Sequence, residues 1–415
     1  MTLTGMKLSA YLGTGPDRSS HKAPARGSRE RLLASRFRTP AVPVPYRRSV
    51  SGLPIFDGHN DVLLALYDPV RGKSRSFFER SEHGHLDLPR AEEGNFAGGF
   101  FAVWVPPDPA SRRPPIEPVA PDPDPAHPDT LPPALEHSYA LRMAVSISAT
   151  LFRLEAGSAG RVKVVRTVAE LRQCLESGVL AAIYHLEGAE QIDPELNALE
   201  LFHRAGMRSL GLVWSRPNAF AEGVPFKFPG TPNTGPGLTP AGRDLVQACN
   251  RLGIMIDLSH LNERGFWDVA KLSRAPLVAT HSNAHAVTPH PRNLLDSQLD
   301  AIKQSGGVVG VNYAVSFTRE DGGRDANTPL ESLVRHFDHL CERMGADHVA
   351  FGSDFDGTRV PADLGDAAGL PRLVKALSDS GYSDGDLRKM ATENWLRVLG
   401  ETWSDGTHPS QGGGS

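Results

Sequence analysis

Eight short apolar runs alternate with amphipathic segments of helical length through most of the chain, and this alternation constrains the fold more than any other feature. The predicted strands are 54–59, 98–105, 179–186, 209–214, 254–259, 276–281, 307–313 and 348–353. Helical periodicity predicts helices at 135–155, 167–176, 194–205, 239–252, 263–272, 296–304, 329–344, 370–379 and 384–399. Parallel neighbours need a crossover between them, and closing the sheet removes both of its edges. The pattern therefore predicts an α/β fold, a (β/α)8 TIM-type barrel. A doubly wound open sheet is the structural alternative, but the Gly-x-Gly-x-x-Gly that usually follows its first strand is missing.

The barrel is expected over residues 51–402, within a chain of 415. Residues 1–50 are rich in Arg, Ser and Pro and read as an irregular N-terminal arm; an organelle-targeting peptide is the weaker reading, for want of an amphipathic helix. A Pro-rich stretch, 106–133, removes backbone donors and disfavours helix, so it is expected to be a surface insertion that could border the site. Residues 403–415 form a polar C-terminal tail. A net charge of −4 offers no basic excess for phosphates, so neither nucleic acid nor an anionic membrane is an expected partner. No run approaches a membrane span. Cys174, Cys249 and Cys341 are odd in number and widely spaced, which suits reduced thiols and a cytoplasmic location.

Chemistry-bearing residues recur at the predicted strand ends. The first strand ends in Asp57-Gly58-His59-Asn60-Asp61, where His59 and Asp61 share a face because strand side chains alternate with period two. The third ends at His185 and Glu187, the fifth at Asp257-Leu258-Ser259-His260, the sixth at Thr280-His281-Ser282, and the eighth at Gly352-Ser353-Asp354-Phe355-Asp356-Gly357. Any one of these alone reads as a cap, a satisfied core histidine or a surface carboxylate. Five on one rim of a barrel are hard to explain as packing, since unpaired polar groups there would cost several kcal/mol. Two imidazoles, a His-x-Asp pair and a central Glu187 suit two divalent ions bridged by that carboxylate. Such a site activates water as hydroxide and polarises a carbonyl, with Asp354 as the general acid/base.

These motifs, with Glu187-Gly188 and Arg292-Asn293, resemble those of the membrane (renal) dipeptidase family within the amidohydrolase superfamily, in order over about residues 50–402. The resemblance implies a dipeptidase with two zinc ions per chain, often tolerant of a D-residue at the substrate's carboxyl end, some members also opening β-lactams. Carried over, it gives one zinc His59, Asp61 and Glu187, and the other Glu187, His260 and His281. Arg292 matches the arginine that holds the substrate carboxylate, and Asp354 the acid/base aspartate.

The fourth strand departs from the pattern. Trp214 stands where the family commonly has a substrate-reaching histidine, and an indole donates one hydrogen bond but binds no metal. Trp214 is therefore expected to line the substrate pocket, with Phe220, Phe226 and Phe228 extending an apolar wall. Tyr313 is a further candidate for substrate contact, packing being the plain alternative, and His285 and His290 are as readily loop histidines bonded to backbone. The other readings are an amidohydrolase acting on a different small amide or a lactam, and a metal-binding protein with reduced turnover. A homodimer is left open.

Overall fold

A computed structural model describes residues 52–68, 75–109 and 130–403. The N-terminal arm, most of the Pro-rich insertion and the tail beyond Trp403 lie outside the described residues. Among the described residues nine strands form one parallel sheet: β1 (Ile55–Asn60), β2 (Phe96–Trp104), β3 (Val162–Val165), β4 (Leu180–Glu187), β5 (Ser209–Gly211), β6 (Met255–Asp257), β7 (Val278–Ala279), β8 (Val308–Val311) and β9 (Val349–Phe351). Eight of them, in the order β1-β2-β4-β5-β6-β7-β8-β9, make the barrel. Its seam is stitched at one end, where Asn60 bridges Phe355 in parallel, Asp354 N donates to His59 O at 3.0 Å and Asp61 N to Phe355 O at 2.8 Å. All eight predicted strands are present, together with the predicted (β/α)8 architecture.

β3 is the strand the periodicity does not reveal. It pairs with β4 from Val162↔Leu180 to Val165↔Ile183, and β5 takes over the same strand at His185. β3 thus satisfies backbone groups that β4 would otherwise leave open below the start of β5.

Local chemistry sets where the helices begin, and so where the rim loops end. Thr239 accepts from Gly242 N and Pro240 opens the helix Pro240–Leu252, which Gly253 ends in the left-handed conformation. Asn262 caps the helix Glu263–Leu272 through Gly265 N, two residues after His260. The predicted helix 384–399 is interrupted by a π-helical turn, Lys389–Glu393, between Asp384–Arg388 and Asn394–Thr402.

Along β4, β8 and β9 one face changes from apolar to polar. On β4 the face runs Ala181, Ile183, His185, Glu187; on β8 and its extension, Val308, Gly310, Asn312; on β9 and its extension, Ala350, Gly352, Asp354. The apolar members join Phe56, Phe100, Met255, Val278 and Trp395 in one buried cluster. Above them Gly58, Gly310 and Gly352 converge on the carbonyl of Thr280, from which a Cβ on each would stand 2.1, 2.0 and 2.2 Å. Only backbone fits there. The polar members begin immediately above this floor. Trp403, assigned to the tail from sequence, is buried against the barrel and donates from Nε1 to Arg208 O at 3.2 Å.

Candidate metal centre

Five predicted ligands come together at the carboxyl ends of β1, β4, β6 and β7. His59 Nε2 lies 3.4 Å from Asp61 Oδ2 and 3.5 Å from Glu187 Oε2. On its other side Glu187 Oε1 is 3.1 Å from His260 Nε2 and 3.7 Å from His281 Nε2. Glu187 therefore gives one oxygen to each half of the cluster. Within each half, His59/Asp61/Glu187 and Glu187/His260/His281, the ligand atoms all lie within 4.8 Å of one another. His260 takes a left-handed backbone, φ 69°, uncommon for a residue with a Cβ, and Val224 N holds its carbonyl at 2.9 Å.

The charge balance of this cluster asks for cations. Burial pushes His260 and His281 well below the ordinary histidine range, with Arg292 and His59 adding repulsion, so both imidazoles are held neutral. Their Nε2 atoms nevertheless stand 3.2 Å apart. Burial also raises Glu187. For His59 burial opposes the charge, but the neighbouring Glu187 and Asp61 carboxylates outweigh it and lift the group well above its usual value. Both ring nitrogens of His59 and Oδ1 of Asp61 are buried without a hydrogen-bond partner. Imidazoles and carboxylates spaced 3.1–3.7 Å apart match neighbouring corners of a coordination shell with bonds of about 2.0–2.2 Å. The residues fit divalent cations.

The second nitrogens of two ligands are held from outside. Ser215 Oγ is 2.8 Å from His260 Nδ1, and Thr280 Oγ1 is 2.8 Å from His281 Nδ1 while donating to Asp257 Oδ2 at 2.5 Å. Asp257 Oδ2 also lies 3.8 Å from His281 Nδ1 and from His185 Nε2, and it could group with His59 and His281. Its oxygens already accept from Ser259 N, Thr280 N and Thr280 Oγ1, so it orients ligands instead of offering itself. His185 sits below, its Nδ1 on Ser209 Oγ at 2.9 Å, and outside both ligand sets, as expected.

Around the cluster the other candidates separate by environment. Burial pushes the Asp354 carboxyl up to about 8 against the opposing pull of His59, and Asn312 Nδ2 donates to its Oδ2 at 2.8 Å. Gly357 lies so close that a Cβ there would stand 2.1 Å from Asp61 Oδ2 and 2.2 Å from Asp354 Oδ1. Arg292 is buried, donates from Nη2 to His281 O at 3.0 Å and stacks over Phe317 at 5.5 Å, while its Nε is buried and unpartnered. Burial lowers it to about 10, with Asp354, Glu187 and Asp257 pulling the other way.

Trp214 is half-buried beside the ligand His260, ring centroids 5.9 Å apart. Trp104 meets it edge-on at 5.2 Å, Phe226 lies tilted to it at 5.6 Å, and the Arg216 guanidinium lies 5.0 Å from its ring. Arg216 is buried in turn by an ion pair to Glu190 at 2.6 Å and a bond to Val105 O, where the chain leaves β2 for the insertion. Phe226 extends the aromatic surface to Phe317, stacked at 6.2 Å, and Phe228 to His290 at 6.3 Å. Phe220 does not join it: the side chain is fully buried in the main apolar core. Tyr313 is also fully buried, edge-on to Phe355 at 5.8 Å, its hydroxyl unpartnered and pushed up by burial and by Asp57.

His285 bonds the carbonyl of Gly230 at 2.8 Å, a loop contact as expected. His290 does more, since its Nδ1 accepts from Arg292 N at 3.1 Å and thereby turns the chain at Arg292. Asp356 and Asp354 both take left-handed φ, 65° and 61°, and the Asp356 carboxylate is held by Arg75 Nη2 and His85 N. Asn312 and Ser215 are missed by motif reading. Continuing the alternation Val308, Gly310 by two residues was the signal for Asn312.

A buried carboxylate shared between two ligand sets at the carboxyl rim of a parallel barrel defines a metal-dependent hydrolase. The chain belongs to the membrane dipeptidase family, peptidase family M19, whose model matches residues 46–409. A metallo peptidase from Rhodobacter sphaeroides, crystallised with a phosphinate mimic of the dipeptide L-Ala-D-Ala, is 52% identical and covers 85% of this chain and 99% of its own, with a TM-score of 0.79. The metallo peptidase dipeptidase AC is 50% identical with the same coverages and a TM-score of 0.78. An uncharacterized protein encoded in the pqqA 5′ region of Klebsiella pneumoniae is 53% identical over 255 residues, 61% of this chain and 94% of the relative. Among the described residues no helix is long and apolar enough to cross a membrane.

Proposed function

We propose that this protein is a zinc-dependent dipeptidase that hydrolyses the single peptide bond of a dipeptide, including one with a D-residue at its carboxyl end. The observation that carries the reading is the Glu187 carboxylate, one oxygen facing His59 and Asp61, the other His260 and His281. His59, Asp61 and Glu187 would hold one zinc, and Glu187, His260 and His281 the other. Bound there, the pair would supply Lewis acidity toward the scissile carbonyl and lower the pKa of water.

The chain's own residues do the rest. Asp354, buried beside the ligand cluster and anchored through one oxygen by Asn312, is suited to take a proton and return it to the leaving amine. Arg292 has unspent donors in a buried place and would take the substrate's terminal carboxylate. Trp214 with Phe226 would form the wall against which a substrate side chain lies, while Tyr313, fully buried, would pack behind the site. The liganded Rhodobacter relative supports the stereochemical part of the reading.

Turnover of the zinc-loaded protein on a panel of L,L and L,D dipeptides, against cyclic amides and lactams, tests the proposal. Hydrolysis of dipeptides is expected. Cleavage confined to the cyclic amides would replace this reading with that of a different amidohydrolase.

A further inference from the structure

The segment 75–87 lies over the turn that carries Asp354 and grips it at Asp356. Arg75 Nη2 meets Asp356 Oδ2 at 2.5 Å, with both side chains almost wholly buried, and Arg75 Nη1 donates to His83 O at 2.8 Å. His85 and Asp356 exchange two bonds: His85 N donates to Asp356 Oδ1 at 2.6 Å, and Asp356 N donates to His85 Nδ1 at 2.9 Å. The His85 ring also lies 5.8 Å from that of Phe355, the residue between the two aspartates. The grip is itself fixed, since Arg90, paired with Asp87, donates from Nη2 to His83 O at 3.1 Å, and Ala367 N donates to His85 O at 3.0 Å.

Asp354 and Asp356 both hold left-handed backbones, which a residue with a Cβ adopts only when its surroundings require it. On the barrel side the turn is tied by Asp354 N to His59 O and Asp61 N to Phe355 O. On the other side the Arg75 and His85 contacts are what oppose its relaxation. Neither Arg75 nor His85 belongs to either ligand set.

We propose that Arg75 is a positioning residue for the reaction: by clamping Asp356 together with His85, it keeps the 354–356 turn left-handed and so aims the Asp354 carboxyl. The inference rests on the assignment of Asp354 as acid/base, and its signature is dependence on Asp354. Arg75→Gln should lower kcat on a dipeptide by about 10- to 100-fold, as displacements of about 1 Å do, with KM and the content of both metals unchanged. Arg75→Lys should recover part of the loss, and Asp356→Asn should reproduce it.

In an Asp354→Asn background the Arg75→Gln substitution should then cost nothing further, because effects through one group do not add. An equal fold-loss in both backgrounds, or a loss confined to KM or to metal content, would overturn the proposal. Should the wild type cleave no dipeptide, a crystal structure of zinc-loaded Arg75→Gln still decides it. Loss of the Asn312–Asp354 bond with a relaxed turn is expected, and an unmoved Asp354 refutes the clamp whatever the substrate is.

Discussion

Asn312 donates from Nδ2 to Asp354 Oδ2 at 2.8 Å, leaving Oδ1 as the oxygen of Asp354 free to handle a proton. Asparagine at 354 would keep the shape of the group but offer no carboxylate to receive that proton. Asp354→Asn is expected to lower kcat by about 100- to 10,000-fold while both metals stay bound. Steady-state kinetics with elemental analysis of the same sample check this, and loss of metal would make Asp354 a ligand.

Glu187 faces both halves of the cluster, so its replacement is expected to act on both at once. Glu187→Gln should lower zinc content from two per chain toward zero, without a stable one-zinc form, since a neutral amide bridges two cations poorly. Metal titration followed calorimetrically reads this directly. A variant that retains one tightly held zinc would remove the bridging role.

Arg292 should select for a free carboxylate. Arg292→Lys keeps a charge but loses the planar pair of donors, and kcat/KM on dipeptides is expected to fall roughly 10- to 100-fold. The wild type should likewise prefer dipeptides over their carboxyl-terminal amides. Equal rates on the two would count against the assignment.

Trp214, flanked by Trp104 and Phe226, should favour substrates with bulky apolar side chains over Gly-Gly. Trp214→His is expected to shift the ratio of kcat/KM values toward the small substrate by about 10-fold, the worth of one or two buried methylenes. An unchanged ratio would make Trp214 a packing residue.

Two buried histidines outside the ligand cluster should make stability fall in acid. Burial lowers His290 and His336 to about 3, far below the ordinary value of 6.5. The unfolded chain therefore binds their protons first as pH drops below 6.5, and the folded chain loses about 1.4 kcal/mol per pH unit for each until pH nears 3. His336 accepts from Ala284 N at 3.2 Å, a bond that His336→Asn could keep without titrating. Urea unfolding between pH 7 and 4.5 should show a shallower decline in that variant, and parallel slopes would place the acid sensitivity elsewhere.

What the sequence reveals of this protein follows from which signals are local. Continuous apolar runs expose all eight barrel strands, because each is buried on both faces. β3 follows the long helix His137–Gly157 and has the exposed Lys163 within it, so no continuous apolar run marks it. The ligand residues are visible as motifs at strand ends, whereas Asn312, Ser215 and the Arg75 clamp are not, since each gains its meaning from a partner more than 40 residues away. Phe220 illustrates the reverse error: it lies near Trp214 in sequence, but its side chain is turned into the core.

The three glycines around the Thr280 carbonyl give the barrel a base made of main chain, with no side chain there to exchange. Chemistry above that base can be retuned only from the rim, through residues such as Trp214 and Phe226. An engineer seeking a new substrate would therefore randomise the loops and leave the strands alone. Even alanine at Gly58, Gly310 or Gly352 would press on the Thr280 carbonyl and displace the neighbouring ligands His59 and His281, so that specificity and metal affinity in this architecture are separately inheritable.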